Sequence, residues 1–205
     1  METLTPSPIE WGVASRALPG QPTSGDLSVV RSFTDGVLVA ALDGIGHGEE
    51  AAEAASLAAA TLEAHAAEPL TALVQRCHEA LRATRGVTMS VASFNVSRGV
   101  VAWLGVGNVE GVLLRRGFVL GAVEKSLMLR AGVVGLQLPL LEAEVLPVTT
   151  GDTLIFATDG IHPDFTRKAA RKYPPLAAAE NILTRHGKTT DDALVLVARY
   201  LRDRP

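Results

Sequence analysis

From Thr88 to Val148 the sequence passes through six strand-like segments without one helical stretch between them. They are Thr88 to Val96, Val100 to Val106, Val109 to Arg115, Phe118 to Gly121, Leu127 to Arg130 and Glu142 to Val148. Parallel sheets need a crossover helix between successive strands, so a run of this kind excludes a doubly wound parallel fold. It requires antiparallel sheets joined by short turns. The apolar runs Val37 to Leu42 and Thr153 to Thr158 do not alternate with polar residues, and so read as strands covered on both faces.

Helical signals come in two groups outside this region. One group is Glu49 to about Ala67, rich in Ala, Glu and Leu, followed by a helix opening at Pro69 with Leu70, Leu73, Val74, Cys77 and Leu81 at helical spacing. The other runs from about Pro174 to His186 and stops at Gly187. Ile9 to Ala17 reads as an edge strand, Leu27 to Phe33 as a strand, and Ala193 to Tyr200 as the last strand. Thr34-Asp35-Gly36 carries hairpin chemistry, Asp-Gly tolerating the positive φ of a tight turn. The pattern predicts a single α+β domain over residues 1–205, with two packed, mainly antiparallel β-sheets flanked by helices.

Four acidic positions share a placement. Asp26 precedes a strand, Asp43 and Asp159 follow buried strands, and Asp191 with Asp192 precedes the last strand. Carboxylates at neighbouring strand ends can converge on one rim, where each raises the pKa of the others unless a cation intervenes. Hard divalent cations such as magnesium and manganese take oxygen donors and resolve that conflict. Gly44 and Gly46 let the backbone after Asp43 turn close to whatever the carboxylate binds, and the Gly44 carbonyl is a further oxygen donor. His47, at the entry to the next helix, can donate a proton or orient a water.

Other chemistries fail on spacing. Gly44-Ile45-Gly46-His47-Gly48 is not a dinucleotide loop, and neither a Walker A sequence nor a G-x-S-x-G elbow occurs. His65, His78, His162 and His186 lie at no zinc spacing. The net charge of −3 and the absence of a basic stripe argue against nucleic-acid binding. Arg115-Arg116 and the cluster Arg167 to Lys172 read as solvated surface, with phosphoprotein docking the alternative for the second. Cys77, the single cysteine, falls on an apolar helix face and is expected to be buried. Met1 to Pro6 carries no secretory pattern, and no apolar run approaches the roughly 18 residues of a membrane span. A soluble cytoplasmic protein, most simply a monomer, is expected.

The order Gly25-Asp26, Asp43-Gly44-Ile45-Gly46-His47-Gly48, Gly107-Asn108, Thr158-Asp159-Gly160, Asp191-Asp192-Ala193 resembles the metal-dependent (PPM, type 2C) protein phosphatases. The D-G-x-G-H-G form is similar to their SpoIIE-like branch, and Arg85-Gly86-Val87-Thr88 and Val106-Gly107-Asn108-Val109 are similar to its stressosome phosphatases. The resemblance implies a four-layer αββα sandwich and two Mn²⁺ or Mg²⁺ ions. It implies that Asp43 bridges both ions, Gly44 offers its carbonyl, Asp159 and Asp191 (or its neighbour Asp192) hold the second ion, and Asp26 acts directly or through water. The implied reaction is hydrolysis of phosphoserine or phosphothreonine on STAS-domain stressosome proteins, resetting a stress sigma-factor pathway. A fold-only binding module and a hydrolase of small phosphate esters are the alternatives. Two departures stand out. Ile45 occupies the place of a histidine in the eukaryotic branch, and the acidic third-metal position falls at Ala83 or Thr84.

Overall fold

A computed structural model describes residues 7–116, 124–165 and 168–202. The elements are β1 (Ile9–Arg16), β2 (Asp26–Phe33), β3 (Gly36–Gly44), α1 (Glu49–Ala64), α2 (Leu70–Ala80), β4 (Val87–Asn95), β5 (Val100–Val106) and β6 (Glu110–Leu114). They continue with β7 (Glu124–Ser126), β8 (Leu129–Arg130), β9 (Glu144–Pro147), β10 (Thr153–Ala157), α3 (Lys168–Lys172), α4 (Pro175–His186) and β11 (Ala193–Tyr200).

The strands form two sheets, one in the order β1-β11-β10-β6-β7 and the other in the order β2-β3-β4-β5-β8, with β9 also pairing β5. Among the described residues all pairings are antiparallel except the short β5–β8 contact. The expected α+β class and two-sheet architecture are therefore found, and β1 is an edge strand as predicted.

Three apolar cores separate four layers. One lies between the β3 sheet and helices α1 and α2, one between the sheets, and one between the β11 sheet and helices α3 and α4. The continuous apolar runs follow from this arrangement, because successive side chains on a strand point to opposite faces. Leu38, Ala40 and Leu42 enter the helix-side core, while Val37, Val39 and Ala41 enter the core between the sheets. On β11, Leu194, Leu196, Ala198 and Tyr200 face the other sheet, and Ala193, Val195 and Val197 face the helices. Phe94 of β4 and Tyr200 of β11 stack across the central core with centroids 5.8 Å apart.

Local expectations differ in detail. The β2–β3 hairpin forms, with Phe33 opposite Gly36, but neither Thr34 nor Asp35 takes a positive φ. Gly36 is needed for a different reason: a Cβ there would lie 2.0 Å from the Phe94 carbonyl oxygen. Pro69 is the N-cap of α2 rather than its first helical residue. Helix α3 has no counterpart among the helices that the sequence predicts. Of the predicted segment Leu127 to Arg130 only Leu129 and Arg130 form a strand, β8, while β7 ends before it at Ser126. Phe118 to Gly121 lies outside the described residues. Cys77 is buried, and burial pushes its thiol up to about 12. Among the described residues no helix is long and apolar enough to cross a membrane.

Candidate metal centre

The acidic positions meet because four chain segments end at the same rim. Asp26 opens β2 and stands directly opposite Asp43 near the end of β3. Asp159 follows β10, and Asp191 and Asp192 precede β11, which pairs antiparallel with β10. The chain thus delivers carboxylates from both sheets to one edge of the sandwich.

Their electrostatics show the proximity. Burial, opposed by the Thr158 hydrogen bond and reinforced by Asp43, Asp192 and Asp159, pushes the Asp26 carboxyl up to about 8. Burial followed by Asp159 and Asp191 pushes Asp43 up to about 7. Asp191 is also raised, first by burial and then by Asp159, with Lys188 acting in the opposite direction. Desolvation and like charge both disfavour the ionised form, so this rim prefers either protons or an added cation.

Neutral side chains hold the carboxylates in place. The Thr158 hydroxyl donates to Asp26 at 2.7 Å and accepts from the Leu194 N–H at 2.8 Å, which ties β2 to β10 and β11. The Asn108 amide donates to Asp159 at 2.7 Å, and the Thr88 hydroxyl donates to the Asn108 carbonyl oxygen at 2.5 Å. Thr88 also lies 3.4 Å from Asp43. The Lys188 ammonium donates to the Asp159 carbonyl oxygen at 2.5 Å. The sequence marks Gly107-Asn108 only as a motif and gives Thr88, Thr158 and Lys188 no role at the site. The signal for Asn108 is its position in a tight turn between two strands, beside Gly107 at φ 97°.

Asp191 and Asp192 part company. Asp192 is buried, and its two oxygens accept from the Leu18 and Gly25 N–H groups, each at 2.7 Å. It anchors the loop that leads to Asp26. Asp191 is partly exposed and faces Asp159 electrostatically.

The glycine loop brings the helix in behind Asp43. A Cβ on Gly44 would lie 2.2 Å from the Ala51 carbonyl oxygen, so only glycine lets β3 press against α1 here. Gly46 and Gly48 take φ of 93° and 76°, reversing the chain into α1. His47 between them is exposed, and no described hydrogen bond joins it to the carboxylates. Arg16 on β1 donates to the Lys188 carbonyl, while its Nε is buried without a partner among the described residues.

Among the described residues no three His, Cys, Asp or Glu side chains already form a closed metal cage. The donor set nevertheless fits a hard divalent cation. It is all oxygen, it is buried enough to suffer as a bare anion cluster, and Mg²⁺ or Mn²⁺ keeps most of its waters and takes few carboxylates each.

The fold and this rim define the class: a PPM-type phosphatase domain. The chain belongs to the SpoIIE family, described as Stage II sporulation protein E, which matches residues 34–201. Phosphoserine phosphatase RsbX of Bacillus subtilis (strain 168) is 28% identical over 94 residues, which cover 46% of this chain and 47% of that protein. The match thus spans about half the length of that relative. A solved chain described as "The bacterial stressosome: a modular system that has been adapted to control secondary messenger signaling" superposes with a TM-score of 0.86 at 28% identity, covering 93% of this chain and 99% of that one. RsbX in complex with magnesium superposes with a TM-score of 0.83 at 21% identity, covering 94% and 95%, a likeness of fold.

Proposed function

We propose that this chain is a metal-dependent phosphoserine/phosphothreonine protein phosphatase that acts on phosphorylated STAS-domain stressosome proteins in the cytoplasm, as a monomer, and so resets a stress sigma-factor pathway. The observation that carries the reading is the convergence of Asp26, Asp43, Asp159 and Asp191 on one rim, with Asp26 and Asp43 held far above the ordinary carboxylate range. The names of the relatives support it, since one is a phosphoserine phosphatase and another chain comes from a stressosome.

In this reading Asp26, Asp43, Asp159 and Asp191, with the Gly44 carbonyl, hold two Mn²⁺ or Mg²⁺ ions. Bound divalent cations supply charge neutralisation for the phosphoryl oxygens and acidify a nearby water. The chain's own residues do the positioning. Asn108 and Thr88 fix Asp159 and Asp43, Thr158 fixes Asp26, and Asp192 holds the Leu18-to-Gly25 loop rather than a metal. His47 is the candidate proton donor to the leaving serine.

The test is release of phosphate from a phosphorylated STAS-domain protein with Mn²⁺, beside Asp43→Asn and beside free phosphoserine. Metal-dependent release that the Asp43→Asn change abolishes, and that favours the protein substrate, is expected. Wild-type turnover by the variant, or no turnover of any phosphoester including p-nitrophenyl phosphate, overturns the proposal; the latter leaves a binding module.

A further inference from the structure

A lysine that belongs to none of the sequence motifs stands beside the carboxylates of the rim. Lys188 lies in the segment between α4 and β11, three residues before Asp191. Its ammonium donates to the Asp159 carbonyl oxygen at 2.5 Å, and its charge favours the ionised form of Asp191. With Asn108, Thr158 and Asp159 it lines a cavity of about 160 Å³, whose lining also includes Glu110 and the apolar side chains of Ile161 and Phe165. Among the described residues of that lining Lys188 carries the one positive charge.

The fold secures the backbone of this residue without using its side chain. The Lys188 N–H donates to the Gly160 carbonyl at 2.7 Å, the Arg16 guanidinium donates to the Lys188 carbonyl, and Gly187 pairs with Ile161. Gly160 is packed so closely that a Cβ on it would lie 1.8 Å from the Asp192 carbonyl oxygen. Main-chain contacts thus lock the turn that carries Asp159 to the segment that carries Lys188 and Asp191. An ammonium has three donors, and the Asp159 carbonyl takes one of them. The side chain is partly exposed, and among the described residues it forms no ion pair with a carboxylate. Two other cations close to the site are engaged. Arg85, which lies against Gly46, pairs with Glu50, and Arg16 is turned to the Lys188 carbonyl.

A phosphoryl group in transfer spreads negative charge over its outer oxygens, and a cation fixed there lowers the barrier. We propose that Lys188 grips the phosphate of the substrate at this rim, its two remaining N–H donors taking a phosphoryl oxygen. The inference rests on the phosphatase reading above and adds to it the side chain that orients the phosphate. Arg16 is a positioning residue for it, since its guanidinium holds the carbonyl of Lys188 and so sets where the ammonium can reach.

The experiment uses the full chain with Lys188→Met, which keeps the stem and the backbone contacts and removes the charge, and Lys188→Arg, which restores it. Inorganic phosphate, titrated by calorimetry into the Mn²⁺-loaded protein, should bind at least tenfold more weakly to Lys188→Met. In turnover, kcat/KM should fall about 10–100-fold for p-nitrophenyl phosphate and for a phosphorylated STAS-domain protein alike, the loss expected for one charged hydrogen bond, and Lys188→Arg should recover part of it. The melting temperature in EDTA should stay at the parent's value and Mn²⁺ affinity should not fall, as both would if the side chain only braced the rim. Phosphate that the parent does not bind, or that Lys188→Met binds as tightly as the parent, overturns the proposal. A loss confined to the protein substrate also overturns it, and makes Lys188 a contact for the substrate's surface instead. Failure of the wider reading looks different: a parent that hydrolyses no phosphoester sinks the phosphatase assignment, while the phosphate titration still decides the role of Lys188.

Discussion

Replacing Asp43 with asparagine should make the metal-free protein more stable while destroying its activity. Asp43 stands opposite Asp26 across β2 and β3, and its carboxyl is raised from 3.8 to about 7 by burial, Asp159 and Asp191. Between those two values the folded state binds a proton that the unfolded state has already lost. Stability therefore falls as pH rises through this window, and the full penalty is present above about 7. At 1.36 kcal/mol per unit, a gap of about 3 units corresponds to ~4 kcal/mol. Asp43 is only partly covered, so solvent screening absorbs about half, leaving ~2 kcal/mol. Asparagine keeps the shape and removes the charge. In EDTA at pH 8 the variant should melt about 4–8 °C above the parent, whereas at pH 4 the two should coincide. Removing this charge should also bring the Asp26 carboxyl down, as followed by carboxyl NMR titration. Saturating Mn²⁺ should reverse the order, because only the parent gains binding free energy, ~2.7 kcal/mol at a hundred times Kd. A variant no more stable than the parent at pH 8 in EDTA, or equally stabilised at pH 4, would refute the claim that the rim stores like-charge repulsion.

Three further outcomes follow from other contacts. Asn108→Ala removes the amide that holds Asp159, and should lower metal affinity or kcat about 10–100-fold with the melting temperature nearly unchanged. Asp192→Ala leaves the Leu18 and Gly25 N–H groups without acceptors, and should cost about 2–4 kcal/mol in urea unfolding; its metal affinity should fall less than that of Asp191→Ala. Phe94→Ala opens the core between the sheets beside Tyr200, and should cost about 3–5 kcal/mol in the same assay.

The architecture was legible because each signal had one physical reading. A run of strands without helices admits only antiparallel sheets, and an apolar run without alternation admits only a strand covered twice. β11 was placed to the residue, since Asp191-Asp192 before it and the buried pattern of Ala193 to Tyr200 agree. Short elements were less legible. Helix α3 has five residues and owes its place to Arg199, which lies far along the chain and grips the Ala170 and Tyr173 carbonyls. No local window contains that cause. The hairpin at Asp35-Gly36 forms as expected but without the positive φ, for a related reason: its glycine answers to the carbonyl of Phe94, a neighbour only after β3 and β4 pair.

The same distinction divides the acidic rim. Which carboxylates gather could be read from their positions at strand ends, because pairing brings strand ends together. What each does there could not. Asp191 and Asp192 are adjacent and chemically identical, yet one points its oxygens at two backbone N–H groups about 170 residues earlier in the chain, and the other faces Asp159. A carboxylate that accepts two short backbone hydrogen bonds has its charge satisfied and its orientation fixed. Its neighbour is raised by burial and by Asp159, with Lys188 acting in the opposite direction. The division of labour is set by which member of the pair the β11 register turns inward. A one-residue slip of β11 against β10 would exchange the two roles while leaving every motif in the sequence intact.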